Sequence, residues 1–336
     1  MNFFIFFHLN ILFSSIEKEK RIEVIKKCYW PLVELADKSK IPIAVEASGI
    51  TLEIIKKLDN ELIKKIKTLI KLEKITFIGS GYSQIIGPLN NKKINQLNLI
   101  EGNKVYKKLL NIKPEICLVN EQSFSKGLIL NYLKSNYKKI IMESNNLFSV
   151  NKNWSDKLKT HPQYLMDDFG NKIEVIWNDT LMFQKFQRFI HGDITQNDYF
   201  RFINLFTKGK KGYLCLYGND CEIFNFRPGR FKEEKKIKFD EWRLIENTLE
   251  KLKLNFSFTK INLIKSNKKK KLLSKNIETT CYVKKQPKYN ISRWAVTGRN
   301  DILINSCIFK LKKNINKKIL KKKFLKKKFW KKKFWK

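Results

Sequence analysis

Short apolar runs of strand length alternate, over the first 250 residues, with longer stretches in which apolar side chains recur three and four positions apart. The short runs read as strands and the longer ones as amphipathic helices, which makes the chain a series of βα units around a parallel sheet. The predicted strands are Asn2–Asn10, Ile41–Ser48, Lys74–Gly81, Pro114–Glu121, Tyr137–Ser144, Glu174–Asp179 and Gly212–Asp220. Helices are predicted over about 17–38, 51–71, 91–110, 125–135, 183–207 and 239–252. Nearly every strand ends on a polar or chemically capable side chain: His8, Glu46, Ser80, Glu121, Glu143, Asp179 and Asp220. A barrel builds its site from all its C-terminal strand ends, whereas an open sheet concentrates the site at one switch point. Gly79-Ser80-Gly81-Tyr82 has neither the dinucleotide nor the P-loop spacing, so no phosphate signature favours the open sheet. An α/β barrel of seven βα units is therefore expected, spanning 1–253. A small C-terminal segment, 254–310, is expected to pack on it, and 311–336 reads as a Lys-rich, low-complexity and disordered tail.

Composition permits a core: 43% of the 336 residues are hydrophobic and 25 are Phe, against 30% charged. No apolar run approaches the roughly 20 residues of a membrane-spanning helix, so no span is expected. The net charge of +39 suggests a nucleic-acid partner, but its distribution weakens that reading. Residues 311–336 hold 14 Lys and no acid, and Lys far outnumbers Arg elsewhere, as AT-rich coding of solvent-facing positions would produce. A wet Lys-rich surface is the expected reading, with nucleic acid an unlikely partner and polyanion binding by the tail the alternative. Cys28, Cys117, Cys215, Cys221, Cys281 and Cys307 show no CxxC spacing, so no disulfide framework is expected. The opening MNFFIFFHLNILFSS lacks a basic start and is broken at His8-Leu9-Asn10, which reads as a first strand and not as a leader. The cytoplasm is the expected compartment. The three histidines, His8, His161 and His191, have no metal-ligand spacing, so no metal is expected, and the lack of GxSxG argues against serine-hydrolase chemistry.

Two segments join acids to strand ends. Ile116-Cys117-Leu118-Val119-Asn120-Glu121 places a carboxylate where an apolar strand emerges, and Tyr217-Gly218-Asn219-Asp220 does the same one hundred residues later. Two carboxylates across one pocket are the minimum for cleaving a glycosidic bond, one acting on the sugar and one protonating the leaving oxygen. Either acid alone often only caps the next helix.

Taken together, FHLN at 7–10, VEASGITLE at 45–53, IGSGYSQIIGPL at 78–89, LVNEQSFS at 118–125, IWNDTLMFQKFQRF at 176–189 and LYGNDCEIFNFRPGRF at 216–231 resemble glycoside hydrolase family 57 over about residues 5–245. The resemblance implies an incomplete (β/α)7 barrel of the glycoside hydrolase/deacetylase type and a retaining enzyme without cofactor, acting on α-linked oligo- or polysaccharides. The family includes amylases, 4-α-glucanotransferases, branching enzymes and α-galactosidases. Carried over by motif, Glu121 matches the nucleophile, Asp220 the general acid/base, His8 a histidine contacting the sugar, and Glu46 the acid of the second-strand motif. Two positions depart from the family pattern: its HQP is His8-Leu9-Asn10 here, and Leu118 replaces an aromatic three residues before the nucleophile. Both would shape sugar subsites.

Further candidate substrate contacts are Trp177 and Asp179 at the sixth strand end, His191 in a turn, Arg227 and Arg230 around Pro228-Gly229, and Trp294 in a late polar cluster. Each has a plainer reading: Trp177 as core, His191 as a loop residue, the arginines as partners of Asp220 and Glu222, and Trp294 as part of a docking surface. A non-catalytic basic scaffold, or an RNA-associated protein that retains the barrel, is the alternative function. It has no reason to keep acids at both strand ends. The oligomeric state is not legible. Because the tail has neither an amphipathic period nor acids to pair with its lysines, deleting 311–336 is expected to leave the melting temperature unchanged in calorimetry.

Overall fold

The computed structural model describes residues 1–151, 154–229, 237, 239–266, 306–311, 313–314 and 317. The chain forms two compact units, Met1–Val283 and Lys284–Lys336. In the second, 306–311 is helical, as are 313, 314 and 317. The rest of the Lys-rich tail, the late polar cluster with Trp294, and Arg230 lie outside the described residues.

The first unit begins with β1 (Asn2–Leu9), and α1 (Arg21–Val24) continues through a π-helical turn (Ile25–Tyr29) into α2 (Trp30–Lys38). Next come β2 (Ile43–Ala47), α3 (Gly49–Leu58), α4 (Asn60–Lys71), β3 (Ile75–Ile78), α5 (Lys92–Leu110) and β4 (Ile116–Leu118). They are followed by α6 (Ile129–Lys134), β5 (Lys139–Glu143), α7 (Ser144–Val150), β6 (Gln163–Met166) and β7 (Lys172–Asn178). The unit continues with α8 (Thr180–Ile190), α9 (Gln196–Thr207), β8 (Tyr213–Asp220), α10 (Glu241–Lys253) and the two-residue β9 (Ser257–Phe258).

All seven expected strands form, and they run parallel in the order β8-β1-β2-β3-β4-β5-β7. The β3–β4 joint is a single bridge, Gly79 opposite Cys117, fixed by two backbone bonds of 2.8 and 2.9 Å. Two strands were not expected. β6 lies antiparallel on the free edge of the first half of β7, and β9 pairs in parallel with the start of β1. Because β6 occupies that edge, β7 and β8 share no ladder; the Asn178 amide donates to the Gly218 carbonyl (2.8 Å) where they meet. The result is a curled, incomplete (β/α)7 barrel.

Strand side chains alternate between two faces, and both faces are apolar because helices cover the outside and the barrel encloses the inside. On β1, Phe3, Ile5, Phe7 and Leu9 join the outer core with α2, α8 and α10, while Phe4 and Phe6 join the inner one. The inner core also holds Ala44, Ile78, Ile116, Leu118, Ile141, Ile176 and Cys215, with Ile261 and Ile264 from the segment after β9. The inward series Phe4, Phe6 continues to His8, as Ala44 continues to Glu46. On β8 the same parity would turn Asn219 inward after Cys215. A register shift opposite Phe4/Ile5 adds one residue, so that Leu216 and Tyr217 both face the outer core and Asp220 falls opposite His8. A bulge of this kind re-aims every later side chain.

The loop after β3 is clamped by α5. Asn98 accepts from the backbone N–H groups of Tyr82 (2.9 Å, at its carbonyl) and Ser83 (2.8 Å, at its side chain). Gly102 permits the approach, since a Cβ there would meet the Gly81 carbonyl carbon at 2.4 Å. Alanine gains about 1 kcal/mol of helix propensity, but overpacking against backbone costs about 1–3 kcal/mol. Gly102→Ala is therefore expected to lower the urea midpoint despite its better helix propensity, with an unchanged m-value.

Candidate active site

His8 stands at the inner end of β1, opposite Glu46 on one side and Asp220 on the other. Its Nδ1 donates to Glu46 Oε2, and that carboxylate is fully buried at the end of β2. Its Nε2 faces Asp220 Oδ1 at 3.8 Å and the Gln84 amide at 2.5 Å. Burial opposes a charge on this ring, but the charge and hydrogen bond of Glu46, aided by Asp220 and Glu222, raise the pKa from 6.5 to about 10. His8 is thus an imidazolium at neutral pH, and Nε2–H needs an acceptor. The Gln84 carbonyl oxygen supplies one when the amide is turned toward the ring.

Glu121 follows β4 in a short 3-10 turn, Asn120–Gln122. It and Gln122 adopt left-handed backbone conformations (φ 51° and 54°), a costly arrangement for residues with side chains. The surroundings hold it: the Gln122 N–H donates to the Val119 carbonyl (3.0 Å), Gln122 Oε1 accepts from the Glu143 N–H (2.8 Å), and Asn120 Nδ2 donates to the Ser80 carbonyl (3.2 Å). The turn leaves the Glu121 side chain exposed, with no hydrogen bond or ion pair among the described residues. The walls around it and the charge of Asp220 raise its carboxyl, while His8 works in the opposite direction. Asp220 is more enclosed. Burial raises its carboxyl, His8 lowers it and Glu46 raises it again. Two acids that perturb one another, with an imidazolium beside them, occupy one mouth. Such a pair ionises in sequence, leaving one carboxylate and one carboxylic acid together over an interval of pH.

Residues 5–276 match the pattern of glycosyl hydrolase family 57. The chain belongs to that family. Its fold is similar to the 4-alpha-glucanotransferase of Thermococcus litoralis (TM-score 0.62, 14% identity), covering 78% of this chain and 39% of that one. It is also similar to the branching enzyme of Pyrococcus horikoshii (0.60, 14%; 81% and 72% covered). An exo-type maltose-forming amylase from Pyrococcus sp. ST04 gives 0.66 at 12% identity, with 90% and 57% covered. The chain thus spans well under half of the glucanotransferase's length. No curated protein matches it in sequence.

Within this family 57 barrel, the other expected contacts are not all brought to the mouth. Trp177 faces outward with Val175, packed edge-on against Phe148 at 5.8 Å, because parity gives the inner positions of β7 to Ile176 and Asn178. The sugar-stacking role expected of it is therefore corrected to a core role. Asp179 caps α8, accepting from the Met182 N–H at 3.1 Å, and burial raises its carboxyl. His191 ends the same helix with Nε2 3.1 Å from the Ile223 carbonyl, so it braces the turn behind Asp220. Arg227 is buried and pairs with Glu241 at the start of α10, a partner that neither expectation for it named. Among the described residues no group of three or more His, Cys, Asp or Glu could hold a metal ion. Two residues that contact the site, one in the mouth and one buried behind it, were missed. Gln84 carries no local signal in its loop, and Glu222 was passed over beside the more obvious Asp220.

The His8–Glu46 pair has a definite pH signature. A histidine raised from 6.5 to about 10 contributes stability that is complete below pH 6.5 and lost as pH rises through about 10. Glu46→Gln is expected to cost about 3 kcal/mol at pH 6, since it strands a buried cation. In urea titrations the gap to the unaltered chain should close between pH 6.5 and 10. A gap that stays constant over that range would show that His8 is not charged.

Proposed function

We propose that this chain cleaves or transfers α-linked glycosyl units of oligo- or polysaccharides by double displacement, with Glu121 as nucleophile and Asp220 as acid/base. The observation that carries the reading is the placement of Glu121, Asp220 and protonated His8 at one mouth, with Asp220 and His8 acting in opposite directions on Glu121 and His8 facing Asp220 at 3.8 Å. In the first step the exposed Glu121 carboxylate attacks the anomeric carbon, and Asp220 gives its proton to the departing oxygen. In the second, Asp220 takes a proton from water or from an acceptor hydroxyl, which attacks the glycosyl ester and releases Glu121. His8 favours the ionised form of Glu121, and the bulge before Tyr217 turns Asp220 to face His8. An α-glucan substrate is supported by the names of the similar enzymes, a glucanotransferase, a branching enzyme and a maltose-forming amylase. Every proton and electron pair in this sequence comes from side chains, substrate or water, so the proposed reaction uses no cofactor. Cys28, Cys117, Cys215, Cys221 and Cys307 are free thiols, which suits a reducing compartment such as the cytoplasm.

The test is turnover of malto-oligosaccharides and α-aryl glucosides with product analysis. Glu121→Gln should lose about a thousandfold or more on every substrate. Asp220→Asn should keep more activity on an aryl glycoside, whose leaving group departs unprotonated, and azide should partly restore its turnover. Near-normal activity in Glu121→Gln would refute the assignment of the nucleophile, and inversion at the anomeric carbon would refute double displacement.

A further inference from the structure

Behind the acid lies a second carboxyl group that the reaction does not use. Glu222 sits in the 3-10 turn Cys221–Ile223 directly after β8 and is fully buried. Its Oε1 accepts from the Asn10 N–H at 2.6 Å, just past the end of β1, and from the Tyr29 hydroxyl of the π-helical turn. Its Oε2 has no partner among the described residues. The turn is tied down from the same side by the Cys28 thiol, which donates to the Phe224 carbonyl (3.2 Å), and by the Cys221 thiol, which donates to the Cys28 carbonyl (3.5 Å). The π-helical turn widens the first helix by one residue per turn, which lets adjacent Cys28 and Tyr29 both reach this junction. Such turns recur at functional sites.

We propose that Glu222 is a positioning residue for Asp220, holding the turn after β8 against the end of β1 and opposing ionisation of the acid with its own negative charge. A buried carboxyl with one orphaned oxygen is poor value for stability, because a glutamine or an apolar side chain would fill the space without a charge to desolvate. Its worth lies in its neighbour two residues away. The groups facing Asp220 are His8 from β1, Glu46 from β2, Glu121 from the turn after β4, and Cys221, Tyr217 and Glu222 from its own strand and turn. Those facing Glu222 are Tyr29 and Cys28 of the π-helical turn, Cys221, Asp220 and His8. Burial and the charge of Asp220 raise Glu222 to about 7, against the pull of Tyr29 and His8. The charges of the two acids act on one another, so an ionised Glu222 increases the fraction of Asp220 that keeps its proton.

This inference rests on the acid/base role proposed for Asp220, and its test is chosen to stand apart from turnover. The Asp220 carboxyl is followed by carbon-13 NMR against pH in the unaltered chain, Glu222→Gln, Tyr29→Phe and Glu222→Asp. Glu222→Gln removes the opposing charge, so the Asp220 midpoint should fall by roughly half a unit or more. Tyr29→Phe keeps Glu222 protonated to higher pH and should move Asp220 in the same direction, which preserves the test if the first variant fails to fold. Glu222→Asp keeps the charge but retracts it from the Asn10 amide, so kcat should fall with the Asp220 midpoint nearly unmoved. In active protein the alkaline limb of kcat/KM should follow the midpoint. An Asp220 midpoint unchanged in both Glu222→Gln and Tyr29→Phe would overturn the proposal whether or not the chain turns over sugar. Absence of glycoside turnover with the expected midpoint shifts would overturn the enzymatic reading and leave the coupling standing.

Discussion

A protonated imidazole inside a barrel needs a negative charge in contact with it, since an unpaired buried cation costs several kcal/mol. Glu46 supplies that charge to His8 from the adjacent strand, in a register fixed by the backbone ladder. With Nδ1 committed to Glu46, the ring can turn only its Nε2–H toward the cleft. There it meets Asp220 and Gln84 and lies close enough to Glu121 to favour its ionised form. One buried ion pair thus contributes to the potential in which Glu121 and Asp220 titrate.

Strand parity distributes these roles. The barrel interior is apolar up to the layer of Phe6, Ile78, Leu118, Ile141 and Ile176, and the next inward position on each strand falls at the mouth. His8, Glu46, Glu143 and Asn178 arrive there by simple alternation. Asp220 does not; it needs the extra residue in β8, and the large outward rings of Tyr217 and Phe224 keep that irregularity packed at 5.1 Å centroid separation. Glu121 reaches the mouth by a third route, two left-handed residues whose cost is offset by hydrogen bonds within the turn, to the end of β5 and to the loop after β3.

The seven parallel strands and their chemically capable ends were legible because period-two apolar runs with polar termini survive even in a chain biased toward Lys, Ile and Asn. Glu121 and Asp220 stood out by the same signal. Trp177 was misread because its polar neighbours Asn178 and Asp179 drew attention to the strand end, although alternation from Ile176 already assigns the ring to the outer face. β6 was not legible: four residues carry too little pattern, and its pairing depends on an edge that exists only after the barrel has curled. Gln84 and Glu222 depend on contacts across loops distant in sequence, 76 positions to His8 in one case and 193 to Tyr29 in the other.

The joint between β7 and β8 has a mechanical meaning. A fully laddered barrel is a hoop whose stiffness is uniform, whereas this one is a clasped band, with β6 wedged into one half of the opening and the Asn178–Gly218 hydrogen bond acting as the catch. Gly218 belongs to the catch, because a Cβ there would strike both the Phe6 ring at 2.4 Å and Asn178 Oδ1 at 2.8 Å. The open joint lies beside the strand that carries Asp220, and His8 and Glu46 follow on the next two strands of the same laddered arc. A change of girth at the joint therefore moves Asp220 together with the ion pair, relative to the arc of β4, β5 and β7.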